Sequence, residues 1–140
     1  MKKKPNEPDG KNLKATMEEP NNENVEHFWY MRPVFFVSDI HRAASFYIDQ
    51  LGFVKKWHEA DGKGTVCQVD RGDCEIILCQ DAKRNDRSRV FLELSQAGVD
   101  QLLKEVNERS IPTQKTWWGY DVLQIEDPDG NELLVCLENL

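Results

Sequence analysis

Two carboxylates set among apolar neighbours are the residues of this chain best placed to recognise something. Glu75 heads the run Glu75-Ile76-Ile77-Leu78, and Glu93 lies inside Phe91-Leu92-Glu93-Leu94. A carboxylate in such a run must find an internal cation or a ligand, because burying it alone is costly. Strand alternation sends Val34, Phe36, Glu75, Ile77, Cys79, Phe91, Glu93, Leu134 and Cys136 to one face, where Phe36 and Phe91 offer apolar contact beside the carboxylates. Glu93 is read either as a contact for a cationic ligand or as the ion-pair partner of Arg32. Trp57 and Trp117 are further candidate ligand contacts, with periodicity leaving their face open. Catalytic chemistry has little to work with. Of the three histidines, His27 is in the N-terminal segment, His41 on a predicted helix and His58 alone on a strand. Cys67, Cys74, Cys79 and Cys136 lack the paired spacing of a zinc site and read as buried free thiols of a reducing compartment.

The elements that must position these residues come twice. Val34 to Tyr47 reads as a strand, an Asp cap and an amphipathic helix, and Phe91 to Val106 reads the same way about 59 positions later. Ile40, Ala43, Ala44 and Tyr47 form one helical stripe; Val99, Leu102, Leu103 and Val106 form the other. Each copy continues into three strands, the last two joined by a turn: Arg71-Gly72-Asp73 in the first, Asp127-Pro128-Asp129-Gly130-Asn131 in the second. Ser38-Asp39 suits an N-cap and Gly52 a C-cap for a helix running to about Gln50. The strands of the first copy are expected over Phe53 to Glu59, Thr65 to Asp70 and Cys74 to Gln80, and the charged segment Asp81 to Ser88 links the copies. The second copy predicts a strand over Arg89 to Leu94, a helix from about Gly98 to Arg109, and strands ending near Trp117, Glu126 and Leu137.

Length and composition narrow the function classes. A chain of 140 residues with 39% hydrophobic content builds one domain. Its net charge of −7 argues against a nucleic-acid partner, whose electrostatic footprint is basic, and favours a neutral or cationic ligand. No apolar run approaches the roughly 20 residues that span a bilayer, so no membrane partner is expected. Met1 to Asn24 holds Lys, Glu, Asn and Pro with almost no large apolar side chain, so residues 1–28 are expected to be a disordered extension and 29–140 the domain, its modules at about 32–80 and 89–140. Without an apolar stretch after Lys2-Lys3-Lys4 there is no secretory signal, and a cytoplasmic location is expected.

Asp39-Ile40-His41-Arg42-Ala43-Ala44-Ser45-Phe46-Tyr47, Leu51-Gly52-Phe53, Arg71-Gly72-Asp73, Trp118-Gly119 and Asp127-Pro128-Asp129-Gly130-Asn131 occur in an order and spacing that resembles the vicinal-oxygen-chelate superfamily. This group includes glyoxalase I, extradiol dioxygenases, and fosfomycin- and bleomycin-resistance proteins. The resemblance covers about Arg32 to Leu137 and implies an α+β fold: two βαβββ modules forming a curved mixed sheet around a cleft. In the family's metalloenzymes, His, Gln or Glu on the first and last strands of the modules hold a divalent ion. Counting back seven residues from Asp39 gives Arg32, matched by Phe91, and the last-strand positions are Ile77 and Leu134. None of the four is a metal ligand, so no metal or other cofactor is expected.

The chain is thus more similar to the metal-free bleomycin-resistance branch, which implies a homodimer that sequesters a small molecule. Trp118 stands at that branch's aromatic position, and a bithiazole or another flat cation could stack on its indole; packing at a dimer surface is the alternative. Asp121 stands where relatives often carry Arg, which leaves the particular drug open. Two other readings are a glyoxalase-like lyase or dioxygenase with a displaced metal site, and a structural or regulatory dimer with a filled cleft.

Overall fold

The computed structural model of the chain describes residues 29–84 and 86–138, so the extension expected over residues 1–28 lies outside the described residues. The first module runs β1 (Val34–Val37), α1 (Ile40–Ser45), β2 (Val54–His58), β3 (Val66–Arg71) and β4 (Cys74–Gln80). The second runs β5 (Arg89–Leu92), α2 (Gln96–Arg109), β6 (Thr113–Trp117), β7 (Asp121–Glu126) and β8 (Glu132–Cys136). Each module makes a four-stranded mixed sheet, ordered β1-β4-β3-β2 and β5-β8-β7-β6. The first strand of each lies parallel to the last, and the other pairs are antiparallel. This is the expected α+β architecture of two βαβββ modules.

Local chemistry explains the helix ends. The Asp39 carboxylate accepts hydrogen bonds from His41 N at 3.0 Å and Arg42 N at 3.1 Å, satisfying two of the orphan donors of the first turn of α1. Beyond Ser45 the helix widens into a π turn over Phe46–Gln50, with Leu51 N donating to Phe46 O at 3.2 Å. Gly52 then takes φ +73°, and a side chain there would also approach Arg71 Nη1 to 3.2 Å. Ser95 caps α2 through a 3.1 Å bond from Gly98 N. The helix therefore begins two residues before the expected Gly98. Between β2 and β3 the chain turns over Glu59–Gly62, with Ala60 and Asp61 at positive φ.

The helix-facing sides of both sheets join in one core. Phe35, Val37, Ile76 and Leu78 from the first sheet meet Leu123, Ile125, Leu133 and Val135 from the second, with the α1 stripe Ile40, Ala43, Ala44 and Tyr47 packed among them. Full burial of one such Val, Leu, Ile or Phe stabilises the fold by about 1.5–3 kcal/mol. In α2 the stripe is narrower than expected: Val99 and Leu102 are buried, while Leu103 is exposed. Glu105 takes an inward place instead, in a bidentate pair with Arg71 at 2.8 and 3.1 Å. All four cysteines are free; Cys67 and Cys136 are buried, and Cys74 and Cys79 are half-buried. Among the described residues no helix is long and apolar enough to cross a membrane.

Candidate functional site

The outer faces of the two sheets, opposite the core, carry the same polar motif twice. Ladder register pairs Val34 with Ile77 and Phe91 with Leu134, so strand positions correspond at an offset of 57. At that offset Arg32 matches Arg89 and Glu75 matches Glu132. Gln68 faces Ile77 across the β3–β4 ladder as Gln124 faces Leu134 across β7–β8, which matches the two glutamines. In the first sheet Gln68 Nε2 donates to Glu75 Oε1 at 3.2 Å, Arg32 Nη1 donates to Gln68 Oε1 at 2.8 Å, and Arg32 Nε lies 3.8 Å from Glu75. In the second, Gln124 Nε2 donates to Glu132 Oε2 at 3.3 Å. Arg89 Nη2 stands 2.8 Å from Glu132 Oε1, an ion pair whose angle falls short of a hydrogen bond.

This register corrects the matching of Arg32 with Phe91. The helices correspond at an offset of 59, Ile40 with Val99, because the second module has two more residues between its first strand and the first buried turn of its helix. Counting from the helix cap therefore misplaces the strand by two. The true counterpart of Phe91 is Val34. Arg32, its counterpart Arg89, Ile77 and Leu134 offer no ligand atom, so the family's metal position does not fit an ion here. Among the described residues no group of three or more His, Cys, Asp and Glu side chains is arranged to hold one.

Around the first triad the network widens. Trp57 Nε1 donates to Gln68 Oε1 at 3.0 Å, and Gln68 Nε2 also donates to Asp70 Oδ1 at 2.8 Å. Burial holds the Asp70 carboxyl above its ordinary range. The Tyr30 ring lies 5.2 Å from the Arg32 guanidinium, and burial together with a hydrogen bond to Glu75 raises its hydroxyl well above the usual tyrosine range. Glu75 is thus a paired carboxylate within a polar cluster. The ion pair considered for Arg32 and Glu93 goes to Glu75 instead, because β1 is bonded to β4 and Glu93 belongs to the other sheet. Phe36 is also occupied: the Arg84 guanidinium, from the linker, sits 4.0 Å from its ring centroid.

The second outer face is aromatic. Phe91 and Trp118 stack at 6.0 Å and 24°, Tyr120 lies 6.0 Å from Phe91, and the Arg89 guanidinium is 5.9 Å from the Trp118 ring. Trp118 remains 45% exposed. Leu134 and Cys136, on the same face, are each only 1% exposed, so this face is better covered than its counterpart, where Ile77 and Cys79 are half-buried.

Trp117 does not join this cluster. It pairs with Asp121 in β6, on the side shared with the core residues Leu123 and Ile125, and projects beyond them at 68% exposure. Glu93 is separated as well, because β5 ends at Leu92 where the chain turns off to cap α2, leaving Glu93 exposed on the rim of a cavity between the modules. Glu75 and Glu93 therefore do not share one site. His58 is not alone: its ring lies 5.6 Å from that of His41, and Nε2 lies 3.0 Å from Gly64 O. Gln68, Gln124, Arg89, Tyr30 and Tyr120 are site residues that the sequence reading passed over. The repeated glutamine was the available signal, visible once the modules are aligned by strands.

Comparison with known proteins agrees with this architecture. The chain is similar to the bleomycin-binding protein from bleomycin-producing Streptomyces verticillus, solved with copper(II)-bleomycin, at 19% identity and a TM-score of 0.64, covering 82% of this chain and 100% of that one. It is similar to lactoylglutathione lyase from Agrobacterium tumefaciens at 18% identity and a TM-score of 0.59, covering 76% and 92%. A fosfomycin resistance protein from Mesorhizobium loti aligns at 14% identity and a TM-score of 0.58, covering 82% and 96%. These likenesses are of fold. No curated protein matches the sequence. The sequence profile described as glyoxalase superfamily protein matches residues 20–139, nearly the whole chain. With its two βαβββ modules, the chain belongs to the glyoxalase superfamily.

Proposed function

We propose that this chain is a small-molecule binding protein that sequesters a flat, cationic aromatic ligand without a metal, acting as a homodimer. The observation that carries the reading is the half-exposed stack of Trp118 on Phe91, flanked by Tyr120. An indole face attracts a cation through its quadrupole, by about 0.5–2 kcal/mol depending on desolvation. Arg89 already stands over Trp118 as such a ligand would. The absence of metal-binding donors at Arg32, Arg89, Ile77 and Leu134 favours binding over metal-assisted chemistry at this face. Resemblance to bleomycin-binding proteins supports the class of ligand, while fold alone does not choose it.

Titration of the full chain with metal-free bleomycin and with proflavine, followed by tryptophan fluorescence, tests the reading. Saturable quenching is expected, with Trp118→Ala weakening it by about 1–3 kcal/mol, as for an aromatic anchor. No saturation at millimolar ligand, or unchanged affinity in the variant, would overturn it. Sedimentation equilibrium tests the dimer, and a monomer at all concentrations would remove that part.

A further inference from the structure

The duplicated fold gives the modules two equivalent joints, and they are bridged differently. At the first, the β7–β8 turn docks on the end of β1. Tyr47 Oη donates to Asp127 Oδ2 at 2.9 Å, and Asn131 Nδ2 donates to Asp127 Oδ2 at 3.0 Å and to Phe36 O at 3.2 Å. Ser38 adds bonds to Asp129 Oδ1 from its backbone N at 3.0 Å and from Oγ at 2.8 Å. At the second, the β3–β4 turn faces the end of β5 and the start of α2. This turn is one residue shorter: Asp70 and Glu75 enclose residues 71–74, whereas Glu126 and Glu132 enclose 127–131. At the matching positions Tyr47 becomes Val106 and Asn131 becomes Cys74, neither of which makes a bridging hydrogen bond; this joint is held to one side by Arg71, which donates to Glu105 of α2 at 2.8 and 3.1 Å, and by Arg109 Nη1 donating to Gln50 O at 2.6 Å. The space left open is a cavity of about 650 Å³.

We propose that this inter-module cavity, which meets the outer-face cluster only at Phe91 of β5, is a second ligand site and that it takes an amphipathic amine. Leu51, Phe53, Leu102, Ile125 and Leu133 line it, and its size falls within the roughly 300–1,000 Å³ of small-molecule sites. Burial pushes the Cys74 thiol up to about 11, so that wall is uncharged at neutral pH. Of the charged residues that line it, Arg71 is neutralised by Glu105. Asp73 and Glu93 are exposed and take part in no hydrogen bond or ion pair among the described residues, so the lining has two unanswered negative charges. An alkyl chain meets the apolar wall while its ammonium meets the carboxylates.

Isothermal titration of the full chain with n-octylamine and n-octanoate, which share an apolar tail and differ in head charge, tests this. Octylamine is expected to bind saturably and about tenfold or more tighter than octanoate. The Asp73→Asn/Glu93→Gln double variant, altered only at exposed positions, is expected to lose that preference by about five- to tenfold. Cys74→Phe, which fills the space, should weaken both ligands, and the double variant keeps the test decisive if this one fails to fold. Trp118→Ala, which disables the outer-face site, should leave octylamine binding in place. Equal affinity for the two ligands, no saturation below about 10 mM, or a preference that survives in the double variant would overturn the proposal. So would octylamine binding lost in Trp118→Ala, which would move the ligand to the outer face.

Discussion

Removing the side chain of Asn131 should loosen the joint at the β7–β8 turn, and the structure sets the scale. Asn131 is fully buried and its side chain makes three hydrogen bonds: from Ser88 N at 2.9 Å, to Phe36 O at 3.2 Å and to Asp127 Oδ2 at 3.0 Å. Each is worth about 1 kcal/mol net, and a buried group left unsatisfied adds to the loss. Asn131→Ala should therefore cost about 2–4 kcal/mol, a large part of the roughly 5–15 kcal/mol that holds a domain folded. At a urea dependence of about 1.5 kcal/mol/M, the unfolding midpoint should fall by about 1–3 M. Cys74→Ala at the equivalent place in the other joint breaks no hydrogen bond and should cost less than about 1 kcal/mol. Urea titration of both variants at 25 °C by far-UV circular dichroism decides the matter. A drop below about 0.5 M for Asn131→Ala, or equal drops for the two, would refute the asymmetry of the joints.

Two smaller expectations go with it. The Arg71 guanidinium holds the Glu105 carboxyl below its ordinary value of 4.5, so this pair stabilises the fold fully above that pH and the stabilisation is lost as pH falls through the lowered value. Glu105→Gln should accordingly be less stable than the parent at pH 7 and lose less on acidification; identical pH dependence in urea titrations at pH 3 and 7 would count against it. Ser95→Ala removes the cap of α2 and should cost about 1 kcal/mol, or about 3–5 °C in Tm by calorimetry, and a shift under about 1 °C would mean the cap bond contributes nothing.

The elements were legible where two signals coincided. β4 has the expected bounds because a turn and an alternating run meet at Cys74, and the α1 stripe is buried at all four of its predicted positions. Register was harder to read, since helices related by 59 positions and strands related by 57 cannot be aligned by one count. That slip hid the repeated Arg, Gln and Glu of the outer faces. Alternation over a strand expected to reach Leu94 left Glu93 on the ligand face, though β5 ends at Leu92. Nor does sequence say that Arg84, from a polar linker, will cover Phe36, because the contact depends on how the linker folds back. The difference between the joints did leave a trace, in that the first turn ends in Cys74 where the second has Asn131.

The strand order has a consequence for how copies of this chain avoid sticking to one another. Unpaired strand edges template the addition of foreign strands, and two four-stranded sheets have four such edges. β2 is guarded by Lys55, Lys56 and an irregularity between Lys55 and Trp57, β6 by Lys115 with Pro112 just before it, and β5 by Arg89. β1, Val34-Phe35-Phe36-Val37, has no charged residue within it, but Pro33 precedes it and Asn131 takes the outward Phe36 carbonyl at 3.2 Å, which leaves Val34, 41% exposed, as its open end. Net charge keeps whole molecules apart at a distance, but contact is decided locally. An added strand would thus have only the Val34 end of β1 to pair with, since the turn that closes the modules also covers the rest of that edge.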